Sequence, residues 1–183
     1  MMNCRLVNWG SGEMKGTLYW ITGLSGAGKT TIGSMLYEHL KKKKSNVVIL
    51  DGDMVRSAFG NDLGYSQEER LKCAMRYSGL SRLLTEQGID VVCCTISMFD
   101  EVRDWNRNHI RNYLEIFLDV PIEVLQMRNQ KNLYQDVKKG KAENVVGMDL
   151  QLQLPRNPDI RIVNDGSSTP KEIFDFLLTQ LNV

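Results

Sequence analysis

An excess of charge of either sign is missing from this chain: 23 basic residues stand against 22 acidic ones, leaving a formal net charge of +1 over 183 residues. So even a balance provides no broad basic field of the kind that duplex nucleic acid attracts, and nucleic acid is not an expected partner. Long hydrophobic runs are missing as well. None approaches the roughly 20 apolar residues that span a bilayer, which excludes a membrane-spanning helix. The stretch Met1 to Gly16 lacks the apolar core of a signal peptide, so a cytoplasmic location is expected. Cysteine is scarce. The four present, with Cys93 and Cys94 adjacent in an apolar run, make neither a disulfide framework nor a spaced metal site, and read as core thiols. There is no internal repeat and no low-complexity tract. What remains, 42% hydrophobic and 25% charged, suits one domain with a substantial core.

One stretch organises the rest. Gly23-Leu24-Ser25-Gly26-Ala27-Gly28-Lys29-Thr30 fits G-x-x-x-x-G-K-[ST], the pattern of a phosphate-binding loop. Its glycines let backbone N–H groups turn inward around phosphate oxygens, and the helix that follows presents its positive end to them. Lys29 is placed to reach the β- and γ-phosphates, and Thr30 to offer a hydroxyl oxygen to Mg²⁺. The flanks agree with the motif. Thr17 to Thr22 is nearly continuous in β-branched and aromatic residues, as a strand covered on both faces requires, and Ile32, Met35, Leu36 and Leu40 make one buried helical stripe.

Residues 1–16, with Gly10, Gly12 and Gly16, read as a flexible extension ahead of a single domain over 17–183. Lys41 to Lys44 close the first helix as a solvated end. Val47 to Leu50 is a second buried strand ending in Asp51-Gly52-Asp53. Ligands of open α/β sheets gather at the carboxyl ends of strands, so these carboxylates are expected beside the loop phosphates, with Asp51 joining Thr30 at the metal. Ser66 with Glu69 forms a capping box opening a long helix that stops near Gly88. Ile89 to Ile96 is a third strand with Ser97 at its end. Arg103 to Tyr113 reads as helix, Glu115 to Leu118 as a fourth strand, and Pro121 as the start of another helix. From about 128 to 158 the periodicity fades and lysines (Lys131, Lys138, Lys139, Lys141) surround Gly140 and Gly147, the composition of a mobile basic lid. Ile160 to Val163 is a last strand, and Thr169-Pro170 begins the terminal helix. His39 and His109 read as surface residues. Strands alternating with helices predict a P-loop NTPase α/β fold: a five-stranded, doubly wound parallel sheet with helices on both faces and a lid.

A phosphate loop alone leaves switches, ATPases and kinases open. A guanine-nucleotide switch requires D-x-x-G after a strand, and no aspartate here is followed three residues later by glycine. A small-molecule kinase needs a carboxylate for the acceptor proton, cations for developing charge and a lid, and Asp53, the arginines and Lys131 meet those needs.

The chain resembles the adenylylsulfate kinases, which move the ATP γ-phosphate to the ribose 3′-hydroxyl of a nucleotide. The resemblance runs from about Gly16 to Asp165. It rests on Gly23 to Thr31, Leu50-Asp51-Gly52-Asp53 with Arg56, Leu63-Gly64-Tyr65-Ser66 with Arg70, Ile96-Ser97, Lys131 with Leu133-Tyr134, and Gly147 with Asp149. It implies ATP binding by Gly23, Leu24, Ser25, Gly26, Ala27, Gly28, Lys29, Thr30 and Thr31, with Arg128 also on the ATP side. It implies that Asp53 faces the acceptor hydroxyl, that Arg56, Arg70 and Arg76 contact the acceptor's charged groups, and that Tyr65 stacks on its base. Ile96 and Ser97 complete the substrate site; Ser97 matches the serine sometimes described as a phosphoryl carrier. Lys131 spans both nucleotides in catalysis. A homodimer is expected.

Departures from the family's pattern fall on the acceptor side. Cys73-Ala74-Met75-Arg76 stands for N-I-R-R, Met98 for a proline after Ile-Ser, Val145-Val146-Gly147-Met148-Asp149 for F-T-G-I-D, and Asn132 for a lid glycine. An intact ATP side with an altered acceptor side is similar to the cytidine diphosphoramidate kinases of bacterial capsule synthesis, which implies the same phosphotransfer to a cytidine nucleotide. A true adenylylsulfate kinase and a non-catalytic nucleotide-binding protein are the alternatives.

Overall fold

The computed structural model describes residues 15–129, 133–138, 140, 143–148, 150 and 152–182. Most of the expected N-terminal extension, and Lys131, Asn132, Lys139, Lys141 and Asp149 of the expected lid, lie outside them.

The elements run β1 (Leu18–Thr22), α1 (Lys29–Lys43), β2 (Val47–Asp51), α2 (Gly52–Ala58), α3 (Gln67–Glu86), β3 (Asp90–Thr95), α4 (Asp100–His109), β4 (Tyr113–Asp119), α5 (Ile122–Arg128), α6 (Leu133–Lys138), β5 (Ile160–Val163) and α7 (Pro170–Leu181). The strands form one five-stranded sheet in the order β2-β3-β1-β4-β5, every pair parallel. The central strand β1 is flanked by β3 and β4, so the loop leaving its carboxyl end emerges at the middle of the sheet, where the strand order reverses.

Period-two alternation divides the core between the two faces. Tyr19 and Ile21 of β1 with Val92 and Cys94 of β3 pack against Ile32, Leu36 and Leu40 of α1, Leu125 of α5 and Ile173, Phe174 and Leu177 of α7. Leu18 and Trp20 with Val91 and Cys93 pack on the other face against Val55 of α2, Cys73, Ala74 and Tyr77 of α3 and Val102 of α4. Helices therefore cover both faces, as the uninterrupted apolar strands predict.

The capping box closes as the sequence implies: Ser66 Oγ accepts from the Glu69 N–H, and the Glu69 carboxylate accepts from the Ser66 N–H. Thr169 and Glu172 repeat the device on α7. Lys44, just past α1, pairs with the buried Asp90, and Asp90 Oδ1 also accepts from Thr17 N at 2.8 Å, anchoring the start of β1. Burial holds the thiol of Cys93 well above its ordinary pKa and pushes that of Cys94 up to about 12, so both behave as neutral core groups.

Two local expectations change. The helix expected at Arg103 to Tyr113 is shifted toward the N-terminus: Asp100 and Glu101 complement its first turn, Arg107 and His109 its last, and Tyr113 instead opens β4 opposite Leu18. His39 is only half exposed, its ring edge-on to Phe174 with centroids 6.0 Å apart. Among the described residues no helix is long and apolar enough to cross a membrane.

Candidate active site

A cavity of about 550 Å³ opens where β1, β2 and β3 end. It is lined on one side by the loop residues Ser25, Gly26, Gly28, Lys29, Thr30 and Thr31, and on the other by α2, α3 and the segment around Val145.

The loop geometry follows from its glycines. Gly26 and Gly28 hold φ of 82° and 92°, left-handed values that a side chain would oppose. Gly28 is the N-cap of α1, has no side chain to satisfy the first-turn N–H groups, and no acidic residue follows in that turn, so the positive helix end faces the cavity. Gly33 lets α1 lie tight on β3: a Cβ there would come 2.1 Å from Cys94 Sγ. The Lys29 ammonium donates to the Leu24 carbonyl at 2.8 Å. Burial lowers its pKa to about 8 against the opposing pull of the Asp51 and Asp53 carboxylates, so it remains charged at neutral pH.

Thr30 Oγ1 donates to Asp51 Oδ2 at 2.7 Å, joining loop to strand end. The other carboxylate oxygen of Asp51 accepts from the Asp53 N–H at 3.0 Å, capping α2 and setting Asp53 in its exposed first turn. Among the described residues no cluster of three or more His, Cys, Asp or Glu could hold a metal alone. The Thr30–Asp51 pair nevertheless suits Mg²⁺, a hard cation that commonly takes one or two carboxylates, waters and substrate phosphates rather than an all-protein cage.

Across the cavity, the guanidiniums of Arg56 and Arg70 lie 4.5 Å and 5.1 Å from the centre of the exposed Tyr65 ring. Arg56 Nη1 donates to the carbonyls of Leu63 and Gly64, at 2.7 and 2.9 Å, and Arg70 Nε donates to that of Tyr65 at 2.8 Å, so the glycine-punctuated loop is tied to both helices. Arg70 Nη2 reaches the Asn144 carbonyl at 2.7 Å, linking α3 to the segment expected as a lid. Of the expected site residues, Arg56, Tyr65, Arg70, Asp51, Asp53 and Ile96 line the cavity together with the loop.

Others are placed differently. Arg76 is outside the lining, held by both carboxylate oxygens of Asp62 at 2.7 and 2.8 Å and packed over Phe59. Ser97 is wholly buried, its hydroxyl without a hydrogen-bond partner among the described residues and its carbonyl accepting from Thr22 Oγ1 and Arg103. An enclosed hydroxyl is poorly placed to carry a phosphoryl group. Leu24 and Ala27 are buried beneath the loop. Arg128 bridges the Gly26 carbonyl at 3.1 Å and Asn164 Oδ1 at 3.0 Å, bracing the loop from outside.

The described part of the expected lid is partly core. Tyr134 is 1% exposed and donates from its hydroxyl to the Ser25 carbonyl at 2.8 Å, while Val145 and Val146 are buried. Arg103 donates to the Gln153 carbonyl at 2.8 Å and pins the returning chain. Tyr77, Thr95 and Glu143 also line the cavity without having been expected there. For Tyr77 a signal existed, since it stands four residues after Cys73 on the same helical face. Glu143 offered none, because no period marks its segment.

The adenylylsulphate kinase family matches residues 15–163. The cytidine diphosphoramidate kinase of Campylobacter jejuni is 38% identical to this chain over 164 residues, covering 90% of this chain and 95% of its own. The adenylyl-sulfate kinase of a Picosynechococcus species is 39% identical over 153 residues, 84% of this chain and 86% of its own. In fold, the Mycobacterium tuberculosis APS kinase CysC, solved in complex with AMPPNP and APS, matches with a TM-score of 0.84 at 30% identity, covering 93% of this chain and 100% of that one. Likeness on this scale, spanning nearly the whole fold and the loop at its centre, makes the chain a member of the adenylylsulphate kinase family, a phosphotransferase with a hydroxyl acceptor.

Proposed function

We propose that this chain transfers the γ-phosphoryl group of ATP to the ribose 3′-hydroxyl of cytidine diphosphoramidate. The observation that carries the choice of acceptor is the cavity wall opposite the phosphate loop. Cys73 and Val145 line it where the resemblance implies an amide and an aromatic ring, and Met75 replaces a guanidinium. The loop side keeps every residue the chemistry asks of it. The Campylobacter jejuni relative, a cytidine diphosphoramidate kinase, supports the same reading, and the resemblance to the kinases of capsule synthesis extends it to capsular phosphoramidate synthesis.

In this reading the loop N–H groups and Lys29 bind the β- and γ-phosphates, with Arg128 keeping the loop in shape. Thr30 and Asp51 would hold Mg²⁺, which when bound supplies charge neutralisation on the phosphates. Tyr65 stacks on the acceptor base, Arg56 and Arg70 meet its diphosphate, and Ile96 packs beside it. Asp53 takes the proton of the 3′-hydroxyl as that oxygen attacks the γ-phosphorus, and the bond to the β-bridging oxygen breaks to release ADP. Ser97 supports the β3 corner from beneath in a direct transfer. Arg76 serves the acceptor only if its pairing with Asp62 opens. Lys131, outside the described residues, keeps its proposed place between the two nucleotides. The 143–148 segment, tied through Arg70, closes the acceptor side against water.

The test is a comparison of kcat/KM for cytidine diphosphoramidate and adenylyl sulfate at fixed ATP. Hydrogen-bonding and ionic partners missing from a polar site cost several kcal/mol together, so preference for the cytidine nucleotide is expected to reach at least about 10²-fold. Preference for adenylyl sulfate would return the chain to the activity named in its Picosynechococcus relative.

Lys29 also sets an alkaline limit. Its folded pKa, lowered to about 8, leaves the amine charged below that pH and neutral above it. A plot of kcat/KM for ATP against pH, which reports the free enzyme, is expected to fall through an apparent pKa near 8. Stability runs the other way: between about 8 and 10.5 the unfolded chain binds more protons, so the desolvation penalty of this group is progressively relieved and stability rises with pH. A kcat/KM flat to pH 10 would remove Lys29 from phosphate binding.

A further inference from the structure

Beside the proposed catalytic carboxylate lies a chain of three groups that the reaction so far leaves unused. Cys73 Sγ donates to the Tyr77 hydroxyl at 2.8 Å, and that hydroxyl donates to the Gly52 carbonyl at 3.0 Å. Both side chains are 4% exposed and line the cavity. Burial raises the phenol pKa above its ordinary value, so it stays a neutral donor throughout the physiological range.

Gly52 C=O and Asp53 N–H belong to one peptide plane. Tyr77 holds the carbonyl end of that plane, and Asp51 Oδ1 holds its N–H end at 3.0 Å. A plane held at both polar ends cannot swivel about its flanking torsions, and those torsions aim the Asp53 side chain into the cavity mouth. Asp53 stands in the first turn of a helix of seven residues, too short to be rigid by itself, so its direction depends on such ties.

We propose that Tyr77 is a positioning residue for phosphoryl transfer, locking the Gly52–Asp53 peptide so that the Asp53 carboxylate meets the acceptor hydroxyl. The Cys73 thiol, standing where the family's pattern has an amide, orients the phenol from behind. The proposal rests on the proposed role of Asp53. Reacting groups displaced by about 1 Å can lose about 10²-fold in rate, which sets the scale of the effect.

The experiment compares Tyr77→Phe, Asp53→Asn and the double variant, using the full chain with ATP and cytidine diphosphoramidate. Tyr77→Phe keeps the packed ring and removes only the hydroxyl. It is expected to lower kcat by about 10- to 10²-fold with KM for ATP unchanged and the thermal midpoint within a few degrees. Added to Asp53→Asn it is expected to cost nothing more, because a residue acting through Asp53 is silent once the carboxylate is gone. An undiminished kcat for Tyr77→Phe, or the same loss in both backgrounds, would overturn the proposal and leave Tyr77 a core residue. If Asp53→Asn alone is harmless, the assignment of Asp53 falls first and takes this inference with it, an outcome distinct from the other two.

Discussion

Replacing Lys29 with alanine is expected to lower kcat by about 10³-fold or more while the protein stays folded, because the change deletes a charge aimed at the transferring phosphoryl group. The fold has little stake in that amine. Its direct hydrogen bond is to the Leu24 carbonyl within the same loop, and burial works against its charge, as the pKa near 8 records. Removing it relieves a desolvation cost at the same time as it removes the cation, so the thermal midpoint should hold or rise slightly. Steady-state kinetics and a thermal melt of Lys29→Ala check both halves. Near-normal kcat would mean that the loop does not act on the reacting phosphate.

Asp53→Asn is expected to lower kcat by about 10² to 10⁴, the range a positioned general base contributes. Asparagine preserves the shape and the backbone donor to Asp51 Oδ1, so the α2 cap should survive. ATP binding, measured by calorimetry, should be unchanged. A loss below about tenfold would mean that Asp53 is no general base of ordinary strength, and that proton removal is left to solvent or comes after the phosphorus–oxygen bond has formed.

Much of this was legible in the chain because it depends on local rules. The glycines of the loop announce its left-handed turns, the unbroken apolar strands announce helices on both faces, and Ser66 with Glu69 announces a helix start that the structure reproduces. Asp51 beside Thr30 was also readable, since a strand's carboxyl end in an open sheet delivers its residues to the ligand edge. What could not be read depends on contacts across long sequence separations. Arg76 looks like an acceptor ligand until the loop brings Asp62 to it from 14 residues away. Ser97 looks available at the end of a strand, yet the fold buries it wholly, with Thr22 reaching its carbonyl across 75 residues. Tyr134 carries a lid-like neighbourhood in sequence, yet its ring is core and its hydroxyl reaches Ser25 across 109 residues. The shift of α4 has the same origin, because pairing with β1 claims Tyr113 for the sheet whatever its helical spacing suggests.

The direct test of the proposed reaction is a phosphorus NMR spectrum of ATP, Mg²⁺ and cytidine diphosphoramidate incubated with the full chain. The predicted result is a new phosphomonoester resonance coupled to the ribose 3′ proton, equal in amount to the ADP formed, with the diphosphoramidate pair intact. ADP accompanied only by inorganic phosphate, or a new phosphate on the diphosphoramidate end, would contradict it.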